Sequence, residues 1–306
     1  MLKYILKRLA YTVFVIIGVS FITFFLLKLA PGDPARLILA ETATEEQVAA
    51  MRAQMGLDKP LIVQYLTYMN NVLHGDLGNS IYFVRPNAEL IAERFPATVQ
   101  LAFATIAVSL IVSIPLGVLA GVKKGTAADF FSMLFALFGQ SMSNVWLGIL
   151  LILIFAVKLR LLPAMGYGSW QNLILPCATL GTGYAALTTR LVRSGMIDVL
   201  QEDYITATYA KGISSSKVIF KYAFRNAILP TVTVVGMNIG MMLGGAVVTE
   251  KIFGWPGLGS LTIQAIAGRD FALVQSILLV ISALFVLINL VVDIIYTFID
   301  PRMKLS

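Results

Sequence analysis

Long uncharged stretches alternate with short charged segments along the whole chain. Six stretches contain no Asp, Glu, Lys or Arg, namely 9–27, 95–122, 130–157, 161–189, 226–249 and 271–292. A helix of roughly 20 residues is needed to cross the hydrocarbon core of a bilayer, and each stretch is long enough to supply one. The pattern therefore predicts six transmembrane helices, at about 9–29, 98–121, 131–156, 172–192, 229–249 and 273–297.

The composition agrees with this interpretation. Of the 306 residues, 58% are apolar and 13% are charged, whereas a soluble domain carries about 25% charged residues. So few charges cannot cover a water-soluble surface, which excludes an ordinary soluble enzyme and a disordered chain. We expect an all-α integral membrane protein in contact with lipid. The first apolar run is longer than the core of a signal peptide, so the first helix is expected to remain uncleaved.

The basic residues indicate how the chain is oriented. One face collects thirteen of them in the termini and short loops and the other face four, and the face richer in Lys and Arg is normally cytoplasmic. Both termini are therefore predicted to be cytoplasmic, and the net charge of +7 indicates membrane orientation rather than nucleic-acid binding. The thirteen are Lys3, Lys7, Arg8, Lys123, Lys124, Arg190, Arg193, Lys211, Lys217, Lys221, Arg225, Arg302 and Lys304, and the four are Lys158, Arg160, Lys251 and Arg269.

Four regions follow from the spans. Residues 1–30 hold the N-terminal tail and the first span, and residues 31–95 are predicted to form a small external helical subdomain, because helical stretches there are separated by Gly- and Pro-containing breaks. Residues 96–298 form the core transmembrane domain, which includes a cytoplasmic loop at 194–228, and residues 299–306 form a cytoplasmic tail.

Catalytic motifs are absent from the sequence. It contains no G-x-x-x-x-G-K-[ST], G-x-S-x-G or H-E-x-x-H pattern, and Cys177 and His74 are its only cysteine and histidine. We therefore expect no catalytic residue, no resident metal and no cofactor in this chain. Asp293 lies near the end of the last span, where an acidic residue is a functional candidate, although an interfacial ion pair is the more ordinary role.

Uncharged polar residues inside the spans are candidates for the wall of a translocation pathway. Such groups must face protein or water within the bilayer, and they either join helices by hydrogen bonds or line a pathway. The candidate pathway residues are Gln140, Ser141, Asn144, Thr182 and Asn238.

The cytoplasmic loop between the fourth and fifth spans is unusually long. Glu202 and Asp203 begin a predicted short helix over Tyr204–Lys211, and Gly212 ends it because a glycine readily adopts positive φ.

A second predicted helix follows over residues 217–226 and is capped by Ser214 or Ser215. The small side chains of Ala207, Thr208 and Ala210 in the first helix would let another protein approach closely. A helix–glycine–helix element between two spans predicts a docking element rather than a simple turn.

At this loop the sequence resembles the transmembrane permease subunits of bacterial ABC importers. Their "EAA" loop, roughly E-A-A-x-x-x-G followed by I-x-L-P, corresponds here to Thr206-Ala207-Thr208, Gly212 and Ile228-Leu229-Pro230, with Thr in place of the Glu and the second Ala. Further segments are similar to the B-type permeases of the dipeptide, oligopeptide, glutathione and nickel branch. They are Pro31-Gly32-Asp33-Pro34, Gly56-Leu57-Asp58-Lys59-Pro60, Gly75-Asp76-Leu77-Gly78, Pro96-Ala97-Thr98, Asp203-Tyr204-Ile205, Ala210-Lys211-Gly212, Arg225-Asn226-Ala227, Glu250–Gly259, Arg269-Asp270 and Asp300-Pro301-Arg302.

The resemblance implies a type I ABC importer permease fold in the bacterial inner membrane. It implies a heterodimer with a homologous C-type permease, two ATPase subunits that carry ATP and Mg²⁺, and an extracytoplasmic substrate-binding protein. The ATPases would contact the loop at Glu202, Asp203, Tyr204, Thr206, Ala207, Thr208, Ala210, Lys211 and Gly212. The binding protein would contact Asn79, Trp255, Gly257, Gly259 and Ser260.

The cargo implied by the resemblance is a dipeptide or oligopeptide, or glutathione. Residues 162–168 together with Trp170 and Gln171 resemble nickel permeases, so a nickel or metal-chelate importer is the alternative. A channel or secondary carrier is the alternative of a different class. A carrier is expected to show coupling charges or inverted repeats, and neither is evident in the sequence.

Overall fold

The computed structural model describes residues 2–29, 35, 36, 39, 43–243 and 246–299. Residues 31–34 and 300–302, which contribute to the family resemblance, lie outside these ranges. The described chain is helical, and an isolated antiparallel bridge joins Asn79 and Pro86. The helices are α1 Leu2–Leu29, α2 Glu45–Gln54, α3 Leu61–Leu73, α4 Asn87–Val122, α5 Ala127–Ser141, α6 Asn144–Lys158, α7 Trp170–Leu200, α8 Asp203–Ala210, α9 Ser215–Ala227, α10 Leu229–Leu243, α11 Val247–Ile252, α12 Leu258–Ala267 and α13 Phe271–Ile299.

Three described helices, α1, α4 and α13, are long and apolar enough to cross a membrane. Two bent pairs, α5 with α6 and α9 with α10, could each count as one further span. By this measure the described chain has three to five spans, so the predicted number of six is not confirmed. The predicted fourth span lies in α7, which is 31 residues long. The C-terminal part of this helix carries the charged residues Arg190, Arg193 and Asp198 and leads into the predicted cytoplasmic loop.

Two predicted element boundaries are wrong. The predicted second span and the end of the predicted external region form a single 36-residue helix, α4, because Pro96 is accommodated inside it. The expected third span is broken instead, since α5 ends at Ser141, α6 begins at Asn144, and the two helices meet at a bend of 104°. The last seven residues of α6, Ile152–Lys158, are wound as a π-helix.

Helix α7 packs along α4 through close glycine contacts. A Cβ atom added to Gly117 would lie 2.7 Å from the Cβ of Val192, and one added to Gly121 would lie 2.5 Å from the Cβ of Met196. Gly117 and Gly121 are thus four residues apart on α4 and contact Val192 and Met196, which are four residues apart on α7. This spacing is expected where two helices pack closely. Gly125 is different, because it has a φ of +78° and serves a turn.

Apolar side chains gather at three levels of the bundle. An outer cluster joins the start of α4 to α12 and α13, with Leu258, Leu273 and Ile277 at its centre. A middle cluster joins α4, α7 and α10 and includes Trp255. An inner cluster joins α4, α7, α8 and α9 and includes Val192 and Met196. Helix α7 therefore contributes to both the middle and the inner cluster.

The predicted external subdomain contains α2, α3 and the start of α4. Thr44 caps α2 through a reciprocal pair of bonds with Gln47, which accounts for the helix start at this point. The following connection is fixed to the start of α13, since the buried carboxylate of Asp270 accepts hydrogen bonds from Ser80 Oγ (2.5 Å) and Tyr82 N (3.2 Å). Segment 75–86 therefore forms one unit with the outer end of the last helix.

Candidate functional site

Helix α8 is the short helix predicted in the cytoplasmic loop, and one side of it is anchored to the bundle. Ile205 is 1% exposed and belongs to the inner cluster, which also contains Met196 of α7 and Val218 of α9. Thr208 is also buried, and its hydroxyl donates to the carbonyl of Tyr204 at 2.7 Å. Asn226 Nδ2 donates to Tyr204 Oη at 2.8 Å, which fixes α8 to the returning helix α9. Thr208 was expected among the docking residues, and this is corrected because its side chain faces inward.

The opposite side of α8 is a surface of small residues. At 100° per residue, Asp203, Ala207 and Ala210 lie opposite Ile205, Thr206 lies beside them, and all four are exposed. The rings of Tyr204 and Tyr209, 40% and 42% exposed, flank this strip. Glu202 and Lys211 are exposed at the two ends of the helix. We call Asp203, Thr206, Ala207 and Ala210 the docking strip.

Gly212 ends α8 in the conformation that the sequence predicts. Its φ is +74°, in the left-handed region that favours glycine, and its N–H donates to the carbonyl of Tyr209 at 2.9 Å. Helix α9 begins at Ser215, two residues earlier than expected, and includes a π-helical turn over Val218–Ala223. Ser214 occupies its N-cap position, but its side chain makes no capping hydrogen bond.

Helix α7 connects the docking element to the interior of the bundle. A Cβ atom added to Gly195 would lie 2.5 Å from the carbonyl oxygen of Ala227, so α7 and α9 touch backbone to backbone. Arg193 is paired in a two-pronged bond with Asp129 near the start of α5, and Arg190 donates to Gln140 near its end. Helix α7 is therefore linked directly to both α9 and α5.

A cleft of about 420 Å³ opens where α5 gives way to α6. Its described lining comes from α6, α7, α10 and α11 and carries no formal charge. The polar members are Ser143, Asn144, Tyr184 and Thr249, and the apolar members are Val145, Leu180, Met241, Met242, Ala246, Val247 and Val248. The cleft adjoins the 104° bend, so a change of that bend would change the shape of the cleft.

The structure brings together only some of the predicted pathway residues. Asn144 lines the cleft, while Gln140 and Ser141 are exposed just before the bend. Thr182 donates to the carbonyl of Ala178 at 2.5 Å, and Asn238 is buried in α10. Neither Thr182 nor Asn238 is among the residues that line the cleft.

The sequence analysis missed two features of this region. Met241, Thr249 and the other residues that enter the cleft from α10 and α11 carry no distinguishing local pattern. The pairing of Arg193 with Asp129 joins positions that are 64 residues apart, which no short motif reveals. The bend itself had a weak signal, since Gln140, Ser141 and Asn144 place several polar groups within one predicted span.

The turn between α11 and α12, predicted to be external, is organised around a buried acid. Glu250 is fully buried, and its Oε2 accepts a hydrogen bond from Ser260 N at 2.8 Å while Oε1 accepts one from Thr98 Oγ1 at 3.2 Å. Thr98 Oγ1 in turn accepts a hydrogen bond from Leu258 N at 2.8 Å. Burial raises the pKa of the Glu250 carboxyl, and these hydrogen bonds act in the opposite direction. Glu250 thereby holds the N-terminus of α12 against α4.

This arrangement corrects three of the expected binding-protein contacts. Trp255 is 1% exposed and its Nε1 donates to the carbonyl of Ala97 at 2.8 Å. Gly257 and Gly259 are buried where an added Cβ would collide with the Glu250 carboxylate. These three residues organise the turn and present no surface to a partner in this conformation. Asn79 is exposed and Ser260 is partly exposed, so both remain available.

The remaining chemical candidates do not form a site. His74 is exposed at the end of α3, and its Nδ1 lies 2.8 Å from the carbonyl oxygen of Asn70. Cys177 is buried beside Thr105. The side chain of Asp293 lies outside the described part of the structure. Within the described residues no group of three or more His, Cys, Asp and Glu side chains could hold a metal ion.

Most of the chain matches a family of transport proteins. Residues 113–305 match the family described as "Binding-protein-dependent transport system inner membrane component", and residues 1–102 match its N-terminal counterpart, "Binding-prot-dependent transport system membrane comp, N-term". The chain belongs to this family and is the permease subunit of an ABC importer.

Individual relatives and one solved transporter also resemble the chain over much of its length. The chain is 41% identical over 304 residues to the "Glutathione transport system permease protein GsiC" of Salmonella paratyphi A and to that of Escherichia coli K12, and each match covers 99% of both proteins. Among solved structures, the inward-facing MetNI methionine ABC transporter matches with a TM-score of 0.59 and 18% identity. That match covers 69% of this chain and 96% of the MetNI chain, and it supports the type I permease fold.

Proposed function

We propose that this chain forms half of the pathway of an ATP-driven importer for glutathione and similar small peptides. The observation that carries the proposal is an uncharged cleft, lined by both polar and apolar residues, beside a bent helix pair and linked to the docking strip through α7 and the inner cluster. The cargo assignment is supported by the relatives, which are named as glutathione permeases at 41% identity.

The cleft suits a peptide because its polar groups can exchange hydrogen bonds without holding the cargo tightly. Ser143, Asn144, Tyr184 and Thr249 offer both donors and acceptors. A fixed charge facing a zwitterionic peptide would favour one end of it and slow its release. The described lining contains no histidine, cysteine or carboxylate, which favours an organic cargo over a bare nickel ion.

The proposed partners follow from the family. A homologous C-type permease would complete the pathway, two ATPases with ATP and Mg²⁺ would bind the cytoplasmic side, and an extracytoplasmic binding protein would deliver the cargo. The chain would lie in the bacterial inner membrane with both termini cytoplasmic. It would break no covalent bond itself.

In the proposed mechanism, α7 moves as a rigid helix and transmits the motion of the ATPases to the cleft. ATP binding closes the ATPase pair, and the docking strip of α8 follows that closure. The motion would pass through the inner cluster, which Ile205 shares with α9 and with Met196 of α7. Tyr184 lies twelve residues from Met196 on α7, roughly 18 Å along the helix axis, and lines the cleft. The importer is driven because ATP binds the closed ATPase pair more tightly than the open one, and this difference shifts the permease between its two states.

Uptake into proteoliposomes that contain the chain, the C-type permease, both ATPases and the binding protein tests the proposal. ATP inside should drive uptake of labelled glutathione, and the variant Asn144→Leu should lower the rate about fivefold by removing one hydrogen bond of about 1 kcal/mol. Tyr184→Phe tests the hydroxyl with the ring retained. Uptake of nickel in preference to glutathione would replace the proposed cargo with the alternative, and uptake without ATP would indicate a carrier or channel.

A further inference from the structure

Helix α3 belongs to the region predicted to be external, yet it is attached to the middle of a membrane span. The hydroxyl of Tyr65 lies 2.9 Å from Ser20 Oγ and donates to the carbonyl of Ile17 at 3.3 Å. The ring of Tyr65 also meets Phe21 edge to face, with centroids 5.3 Å apart. These contacts fix the position of α3 relative to α1.

The depth of that attachment follows from the span. The apolar window of α1 is Leu9–Leu27, so residue 18 marks its midpoint, and Ile17 and Ser20 lie within about 3 Å of it at 1.5 Å per residue. The headgroup region begins roughly 15 Å from the bilayer centre. A tyrosine side chain is much shorter than that distance, so the axis of α3 lies below the headgroups, within the outer half of the bilayer.

The sequence of α3 divides its surface into three strips at 100° per residue. Tyr65, Tyr68 and Val72 form the strip that faces α1 and its neighbours. An adjoining apolar strip comprises Ile62, Leu66, Met69 and Leu73. A polar strip comprises Thr67, Asn70, Asn71 and His74, and the exposed side chain of Val63 lies among them.

The apolar strip is unusually exposed. Ile62 is 53% exposed, Leu66 is 60% and Leu73 is 80%. No charged residue occurs between Leu61 and Leu73. An amphipathic helix of this kind is typical of helices that lie in the membrane interface.

We propose that α3 is embedded in the outer leaflet, with the apolar strip against lipid acyl chains and the polar strip towards the headgroups and water. Helix α1, to which α3 is attached, likewise exposes apolar side chains at Phe14, Ile22 and Leu26. Tyr65 anchors the helix at this depth. The segment 31–95 therefore stands partly in the membrane rather than wholly above it.

Site-directed spin labels on the full chain, assembled with its partner subunits in lipid vesicles, test this placement. Single cysteines are placed at Ile62, Leu66 and Leu73 on the apolar strip and at Thr67 and Asn70 on the polar strip, in a Cys177→Ala background. Collision rates are measured with oxygen, which concentrates in lipid, and with a neutral nickel chelate, which stays in water. Because Leu66 and Thr67 are neighbours in sequence and both exposed, they form a matched pair.

The labels on the apolar strip should collide several times more often with oxygen than with the nickel chelate, and the ratio should reverse on the polar strip. The same result is expected for the chain without its partner subunits. A preference for the nickel chelate at Leu66 would place α3 in water and overturn the proposal. Protection of Leu66 from both reagents in the complex, lost in the chain alone, would show that a protein partner covers the strip and would overturn it equally.

Discussion

Arg193 donates two hydrogen bonds to the carboxylate of Asp129, from Nε to Oδ1 over 2.5 Å and from Nη2 to Oδ2 over 2.8 Å. The backbone N–H of Gly125 donates to the same carboxylate at 3.0 Å. Asp129 is 9% exposed as a side chain and Arg193 is 26% exposed. One ion pair thus joins the C-terminal half of α7 to the first turn of α5.

Replacement of Asp129 by Asn should weaken this joint. A hydrogen bond to a charged group contributes about 1.5–3 kcal/mol, and Asn presents a donor where Arg193 needs an acceptor. We expect the purified complex to unfold at a lower temperature. We also expect fewer cargo molecules to be taken up for each ATP hydrolysed. Asp58→Asn, which alters an exposed acid outside the bundle, is the control. An unchanged unfolding temperature and unchanged transport in Asp129→Asn would show that the Arg193–Asp129 pair does not couple α7 to α5.

Gly121 should not tolerate a side chain. An added Cβ would lie 2.5 Å from Met196 Cβ and 3.1 Å from the carbonyl oxygen of Arg193, so α4 and α7 would have to separate. Overpacking of this kind costs about 1–3 kcal/mol. We expect Gly121→Val to lower the thermal stability of the protein and its abundance in the membrane. Gly18→Ala in α1, where nothing lies within 4 Å of an added Cβ, should behave like the unmodified chain.

Glu250→Gln should loosen the external turn. The amide group would place a donor beside Ser260 N or Thr98 Oγ1, both of which donate to the carboxylate. Leaving a buried donor without an acceptor costs about 1–3 kcal/mol. Limited proteolysis from the external side should therefore cut between α11 and α12 faster in Glu250→Gln, while Lys251→Gln at the exposed neighbouring position should not. Equal cleavage rates would show that the carboxylate does not hold the turn.

The orientation of the chain can be measured with an impermeant thiol reagent in intact cells. Ser80 is unsuitable for the external probe because it is buried against Asp270, whereas Asn79 is exposed. In a Cys177→Ala background we expect labelling of Asn79→Cys and none of Ser215→Cys until the cells are opened. Labelling of Ser215→Cys in intact cells would mean that the loop at 194–228 lies outside the cell and that the predicted orientation is wrong.

Sequence patterns predicted the local features well and the long-range ones poorly. The short loop helix and its end at Gly212 are encoded by nearby residues and are confirmed. The bend between α5 and α6 was not predicted. A continuous uncharged run predicts one span, and its composition is the same whether the helix is straight or broken. Trp255, Gly257 and Gly259 look like a surface motif in sequence, but Trp255 bonds to the distant Ala97. Gly257 and Gly259 pack against the Glu250 carboxylate, which the distant Thr98 contacts. Tertiary contacts decided each of these cases.

The central claim is that α8 couples ATP hydrolysis to the cleft through its docking strip. Ala207→Arg places a large charge on that strip, and Ser216→Arg places the same charge on an exposed position of α9. Gly212→Val adds a β-branched side chain at φ +74°, a strain of about 1–2 kcal/mol, without a steric neighbour within 4 Å.

The most direct measurement is ATP-driven uptake of labelled glutathione by proteoliposomes that contain each variant with its partner subunits. Ala207→Arg should abolish uptake and lose the ATPases on purification, Gly212→Val should keep the ATPases but lose uptake, and Ser216→Arg should transport normally. Normal uptake by both Ala207→Arg and Gly212→Val would contradict the coupling role of α8.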